Sequence, residues 1–443
     1  MKRGFYNIMA AQFFSSLADN ALLIASIALL IQLDGPAWMT PLLKFFFTIS
    51  YVALAPFVGP FADAWPKGKV MFITNTIKVI GCLMMLFYEF IAGSGMPAYL
   101  VALIAYGVVG FGAAAYAPAK YGIVTELLPP EKLVMANAWL EGLTVISAIV
   151  GFVVGGYLIK PSVSKTLLSF DMPYINTSID TPAEAAIAVI VIFYIIAAIF
   201  NLFIPDTGAR YEKQKTRPLE LIAHFGYCFN TLWKDKLGQI SLAVTTLFWG
   251  AGATLQFIVL RWSEQHLQMS LDKASVLQGV FAFGIAFGAV IAGQFIPLKK
   301  SLRVLPAGIA MGIMVMAMPL VHFMPTVYVL MIMVGTIAGF FLVPMNALLQ
   351  HRGHVLLSAG NSIAVQNFNE NLCILVMLAF YALLLSLDIH INTAIIIFGT
   401  FVSLSMGGVI LWHRRNQRVY GNSEQLIGIE KGESFTHFDQ RLH

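Results

Sequence analysis

Charge is what this sequence has least of. Of its 443 residues only 11% are Asp, Glu, Lys or Arg, against about 25% in an ordinary soluble domain. With 58% of residues hydrophobic and a mean hydropathy of +0.79, a water-soluble fold would have to expose much apolar side chain. A bilayer removes that conflict, because surface facing lipid needs no charge. Cysteine is also scarce. Cys82, Cys228 and Cys373 stand far apart in or beside apolar runs, which excludes a disulfide framework or a thiolate metal site and argues against redox chemistry. No dense basic cluster is present, so the net charge of +5 points to no nucleic-acid partner. His351, His354 and His437 lack ligand spacing, and no cofactor, metal or enzymatic activity is expected. Met1-Lys2-Arg3 leads into an apolar stretch too long for a signal-peptide core and without a small-residue cleavage site, so the first span is expected to stay in place.

What the sequence does hold is a series of long apolar runs. A helix crosses the hydrocarbon with about 20 residues. That length predicts twelve spans at 5–33, 41–62, 70–91, 98–118, 134–159, 183–204, 239–262, 273–296, 304–324, 326–350, 358–386 and 391–412. The ninth and tenth are divided only by Pro325 and a very short turn. Loops on one side carry Lys2, Arg3, Lys67, Lys69, Lys120, Lys132, Lys299, Lys300, Arg303 and Arg352; the opposite side has only Lys160, Lys165, Arg261 and Lys273. Lys and Arg accumulate in cytoplasmic loops, so both termini are expected in the cytoplasm.

The longest polar interruption divides the spans six and six. The expected organisation is a first bundle at 1–204, a cytoplasmic linker at 205–238, a second bundle at 239–412 and a cytoplasmic tail at 413–443. Within the linker, residues 219–233 are amphipathic (Leu219, Leu221, Ile222, Phe225, Phe229, Leu232, Trp233) and suited to a membrane surface. The halves repeat: Gly59 and Asp63 with Lys67-Gly68-Lys69 answer to Gly293 and Pro297 with Lys299-Lys300, Pro118 to Pro344, and Glu141 to Glu370. Two six-helix pseudo-repeats in an all-α polytopic membrane protein are the organisation of the major facilitator transporters.

The run from Gly59 to Lys69 resembles that superfamily's loop signature, G-x-x-x-D-R-x-G-R-K, with the second glycine two residues late. It makes Gly59, Asp63, Lys67, Gly68 and Lys69 candidate gating residues. In span five, Gly142, Gly151, Gly155 and Gly156 partly match an antiporter glycine pattern, but small residues at this spacing also serve plain helix packing. Mid-span polar groups are the candidate binding residues. A carboxylate at the bilayer centre costs at least about 2.5 kcal/mol, so Asp19, next to Asn20, is expected to face a cavity or a partner. Glu141 lies one turn after Asn137, and Glu370 sits amid Gln366, Asn367, Asn369 and Asn371. Lys78 is placed to pair with a carboxylate. In span seven, Gln256 lies mid-helix. Arg261 either grips a phosphate through its planar fork or snorkels to the interface beside Trp262.

Several longer stretches resemble the bacterial lysophospholipid transporters: Ala18-Asp19-Asn20-Ala21-Leu22-Leu23, the run from Ala114 to Gly122, Phe248-Trp249-Gly250-Ala251-Gly252, the run from Val343 to Gln350, and Gly360 to Asn367. They cover nearly the whole chain. The resemblance implies a monomeric flippase of the bacterial inner membrane. It would move lysophosphatidylethanolamine and lysophosphatidylglycerol from the outer to the inner leaflet by alternating access with lateral opening. A cytoplasmic acyl-ACP-dependent acyltransferase would then restore the second chain. No H-x-x-x-x-D acyl-transfer motif follows span twelve. Asp19 falls on the family's span-one aspartate, whereas the family's span-seven arginine falls on Gln256, five residues before Arg261. The segment 160–182 is longer than usual. Lys120 and Arg261 are the cations expected near a lipid phosphate, and Phe45, Phe46 and Phe47 either line the acyl path or face lipid. The alternative is a proton-coupled major facilitator exporter of drugs or small metabolites, with Asp19, Glu141 or Glu370 carrying the proton.

Overall fold

The computed structural model describes residues 3–421, apart from 36–39, 94, 170–178, 210–216, 270 and 388, together with Ile427. Much of the long 160–182 segment and nearly all of the tail beyond 421 therefore lie outside the described residues. Among the described residues twelve helices are long and apolar enough to cross a membrane. The first six are α1 (Gly4–Gln32), α2 (Leu43–Ala64), α3 (Lys67–Leu86), α4 (Ala98–Leu127), α5 (Pro130–Leu158) and α6 (Pro182–Leu202). The second six are α7 (Gly238–Gln265), α8 (Val276–Phe295), α9 (Leu298–Leu320), α10 (Met324–Leu356), α11 (Ala359–Tyr381) and α12 (Ile391–Tyr420).

Hydropathy locates all twelve spans but misplaces several ends. The third span, expected to reach 91, stops at Leu86, where Phe87 leaves helical geometry before a short helix Tyr88–Ala92. α4, α10 and α12 run six to nine residues past the expected ends of 118, 350 and 412. Helical hydrogen bonding continues into polar sequence where hydropathy ends. Lys120 and Arg352, expected in loops, are therefore inside helices and buried. Pro325 occupies the first turn of α10, where its missing N–H costs nothing. Pro118 and Pro344 lie within α4 and α10 as equivalents in the repeat.

Residues cluster into two compact units: 1–123 with 146–215, and 124–145 with 216–443. α5 is divided between them. In the first unit α1 and α3 pack on α6, and the last half of α5 approaches α1. A Cβ on Gly151 would lie 2.5 Å from the Leu17 carbonyl, and one on Gly155 2.8 Å from that of Ala21. Gly142 and Gly156 border open space. The span-five glycines thus divide, two packing helices and two free.

In the second unit α9 packs on α12 as α3 does on α6, and α7 packs on α11. The most extensive pairing joins α8 to α10. There Gly284 and Gly288 oppose Gly335 and Gly339 so closely that a Cβ at any of the four would meet the partner's backbone carbonyl. Both are small-x-x-x-small pairs, which let helix backbones touch where no hydrophobic effect separates protein from lipid.

The linker contains a helix, Pro218–Lys234. Sequence amphipathicity placed its apolar face toward lipid, but much of that face covers protein. Cys228 and Leu232 pack with Leu242, Leu349 and Val365, and Phe225 and Phe229 meet Phe368 edge-on at 5.4 and 6.2 Å. Leu219 and Ile222 remain exposed. Just beyond the helix, buried Asp235 takes Arg352 Nη2 at 2.6 Å and Nε at 3.2 Å, a bidentate pair, and accepts the Gly238 N–H at 2.7 Å. Burial alone would raise the Asp235 carboxyl, but the guanidinium and the Gly238 and Leu237 N–H groups outweigh it and hold it below its usual range.

A carboxyl depressed in the folded state contributes stability in full above its unfolded value, about pH 3.9. That contribution is lost as pH falls through the lower folded value. Arg352→Ala is expected to cost about 3–5 kcal/mol, the penalty of a buried charge left alone, and to flatten the acid side of a melting-temperature profile. A variant profile parallel to the parental one would show that the pair contributes nothing.

Candidate functional site

The first unit holds a polar cluster in an apolar interior. On α1, Ser15 and Asp19 are one turn apart and share a face. On α3, Asn75 and Lys78 do the same. Lys78 Nζ donates to both Asp19 oxygens at 2.8 Å and to Ser15 Oγ at 3.1 Å. The Tyr194 hydroxyl of α6 donates to Asp19 Oδ1 at 2.7 Å, and Ser15 Oγ to Asn75 Oδ1 at 2.9 Å. The Lys78 ammonium also lies 5.2 Å from the Tyr116 ring centroid and 5.4 Å from that of Tyr194, within cation–π range. The surrounding wall is apolar, with Ala18, Leu22, Cys82 and Val109 buried in it.

The pair is asymmetric. The Lys78 side chain is 1% exposed and that of Asp19 22%, so the carboxylate is the open end. The buried Tyr116 hydroxyl has no hydrogen-bond partner among the described residues. Charge in a low-dielectric interior is tolerated only when paired and hydrogen-bonded, and this cluster meets that condition while leaving one carboxylate edge and one phenol available. Asn20 is turned back on its own helix, donating to the Ser16 carbonyl at 2.8 Å.

Glu141 and Glu370 come together in the second unit. Asn346 Nδ2 donates to Glu141 at 3.2 Å, while Gln366 Nε2 donates to Asn346 Oδ1 at 3.0 Å and to Glu370 at 2.7 Å. Two acids are thus linked through two amides across α5, α10 and α11. One turn before Glu141, Asn137 exchanges two 2.9 Å hydrogen bonds with Gln350. Gln256 pairs with Gln278 of α8, donating its side-chain amide and accepting on its backbone carbonyl, both at 3.0 Å. Arg261 is exposed beside fully buried Trp262. Lys120 is buried with its ammonium 4.1 Å from the Tyr121 ring centroid.

The candidate gating residues lie within the first unit. Lys67 opens α3 and reaches back to the Asp63 carboxylate and the Ala62 carbonyl. Gly68 abuts the end of α6, where a Cβ would lie 3.0 Å from the Asn201 carbonyl and 3.1 Å from Ile204. That contact is why the late glycine matters. Gly59 is buried and Lys69 exposed. Phe45 and Phe46 are exposed, whereas Phe47 packs on Tyr51 and Tyr106.

Sequence reasoning did not single out Ser15, Asn75, Tyr194 or Asn346 as site residues. A signal exists for the first two, a second polar residue one turn before each mid-span charge. Among the described residues no group of three or more metal-ligating side chains occurs.

The family model for the Major Facilitator Superfamily matches residues 8–365. A lysophospholipid transporter LplT of Yersinia enterocolitica serotype O:8 / biotype 1B is 39% identical over 88% of this chain and 89% of its own. One of Yersinia pestis (strain Pestoides F) is 40% identical over 87% and 88%. Among solved structures, a bacterial homologue of the iron transporter ferroportin in an outward-facing state aligns with a TM-score of 0.70 at 14% identity, covering 94% of this chain and all of that one. The transporter FucP in the outward conformation aligns at 0.66 and 14%, covering 93% and 99%. At such identities the likeness concerns the fold alone.

Proposed function

Because the chain belongs to the Major Facilitator Superfamily and, within it, to the lysophospholipid transporters, we propose that it carries lysophospholipid from the outer to the inner leaflet of a bacterial inner membrane. The termini and the linker face the cytoplasm, and a cytoplasmic acyltransferase consumes the product. The observation that carries this reading is the Asp19–Lys78–Tyr194 cluster, a hydrogen-bonded charge pair inside an apolar bundle with its carboxylate edge open.

A lysolipid has one acyl chain and a large head. A polar cleft opening sideways takes the head while the chain stays in lipid, and transport proceeds by alternating access of two six-helix halves. The Asp19 carboxylate suits an ethanolamine ammonium or glycerol hydroxyls, and the Tyr116 hydroxyl offers a donor to the phosphate. Glu141 and Glu370 lie in a second polar cluster and Gln256 in a third. The Asp63–Lys67 turn serves as a gate latch with Gly59, Gly68 and Lys69.

The deciding measurement is uptake of labelled lysophosphatidylethanolamine into spheroplasts lacking any related transporter, with and without this protein. No protein-dependent uptake would end the proposal. For topology, a cysteine at position 214 in a cysteine-free background is expected to resist an impermeant thiol reagent applied to intact cells. Labelling from outside would reverse the orientation.

Arg261 tests the phosphate contact separately. If its fork grips phosphate, Arg261→Lys keeps part of the uptake and Arg261→Ala little. If it snorkels, both are close to silent, and full activity in Arg261→Ala removes it from the site.

A further inference from the structure

A cavity of about 180 Å³ lies where the start of α7 meets the last turns of α12, lined by Lys236, Gln239, Trp412, Arg415, Asn416 and Tyr420. Trp412, Arg415, Asn416 and Tyr420 follow helical spacing down one face of α12. The lining carries two cations and two side-chain amides. Lys236 and Arg415 bring two positive charges, and the Lys236 ammonium sits 4.2 Å over the Tyr420 ring. Gln239 and Asn416 are each only 5% exposed, and the side-chain nitrogen of each has no hydrogen-bond partner among the described residues. The neighbouring acid does not neutralise the site, because Asp235 is already engaged by Arg352 and by the N–H groups of Leu237 and Gly238.

Leaving a buried donor unsatisfied is costly, and both amides belong to residues that line the cavity, within reach of an acceptor that enters it. Two cations and two amide donors ask for a compact, acceptor-rich anion, which is the chemistry of a phosphate ester. Trp412 and Tyr420 are amphipathic rings of the kind that settle at headgroup level, and Trp412 is braced by Trp233 stacked at 6.4 Å. Basic pockets between helices at a membrane face hold acidic headgroups.

We infer that this cavity binds the phosphate ester of an anionic phospholipid in the leaflet beside the linker, as a lipid site separate from the polar clusters described above.

The test uses the full chain purified in detergent. By native mass spectrometry, the parental protein is expected to retain phosphatidylglycerol, and Lys236→Gln with Arg415→Gln to lose it about tenfold, as for about 1.4 kcal/mol of binding. Both substituted groups reach solvent or the cavity mouth, so folding is not at stake. Gln239→Leu supplies the second readout: without ligand it is expected to melt higher than the parent, because an unsatisfied donor is gone. It is also expected to lose the rise in melting temperature that phosphatidylglycerol gives the parent. A lower ligand-free melting temperature in Gln239→Leu, or equal lipid retention in the double variant, overturns the inference. Glycerol 3-phosphate and inorganic phosphate form the other arm. If either stabilises the parent where phosphatidylglycerol does not, the site serves a soluble phosphate and the lipid assignment fails.

Discussion

Asp19→Asn is expected to reduce lysophospholipid uptake to a few per cent of the parental rate or less. The reason is double, and the two parts separate. The asparagine removes the open carboxylate edge that meets the headgroup. It also strands the Lys78 ammonium, 1% exposed, without a counter-charge, leaving Ser15, two aromatic rings and a neutral amide oxygen as its partners. Breaking a buried pair from one side costs about 3–5 kcal/mol, while replacing both partners by neutral groups is often neutral or stabilising. Asp19→Asn with Lys78→Met is therefore expected to recover the melting temperature lost in Asp19→Asn alone, and to stay inactive. Uptake at the parental rate in the double variant, at matched membrane levels, would reduce the pair to a structural clamp and withdraw Asp19 from the substrate site.

The largest expected effect on folding comes from Gly339→Val. The obstacle is the Ile285 backbone carbonyl on α8, which cannot rotate aside as a side chain would. Overpacking among side chains costs about 1–3 kcal/mol. Here the helices themselves must separate along the most extensive pairing of the second unit, so loss of the folded species is expected. Size-exclusion of a fluorescent fusion would show an aggregated or absent peak. Gly142→Ala and Gly156→Ala, which border open space, are the controls and should run like the parent. A monodisperse Gly339→Val protein with the parental melting temperature would mean that α8 and α10 do not pack as described.

The span count, the repeat and the residues carrying mid-span charge were all legible in the sequence, because a bilayer imposes length and apolarity on each helix separately. Partners were less so. Lys78 is 59 positions from Asp19 and Tyr194 175 positions away, and only packing joins them. Glu141 and Glu370 were visible as repeat equivalents, but their connection runs through Asn346 and Gln366, whose side chains read in isolation as helix-packing amides. Helix ends failed where hydropathy and hydrogen bonding part company, and this moved Lys120 and Arg352 out of loops. The paired glycines of α8 and α10 stand at a spacing of four but were recognised as a helix contact only in the structure, and the span-five glycines likewise needed it to divide packing positions from idle ones.

The anchored linker has a consequence for how the chain can be taken apart. Its helix is bound to α10 and α11 by Phe225, Phe229 and Leu232, and the Asp235–Arg352 bridge follows it. By sequence the midpoint of the connection falls inside the helix, but by structure the seam lies before it. Two fragments meeting before Pro218 would keep the linker helix with the helices it packs on, but would part Asn137 and Glu141 from Gln350 and Asn346. A division at 235–238 would instead give Asp235 to one fragment and its arginine to the other, leaving a charge in each without its counterpart. The linker helix is in this sense part of the second unit, alongside residues 124–145, and the modular boundary is displaced from the place where the sequence looks most like a boundary.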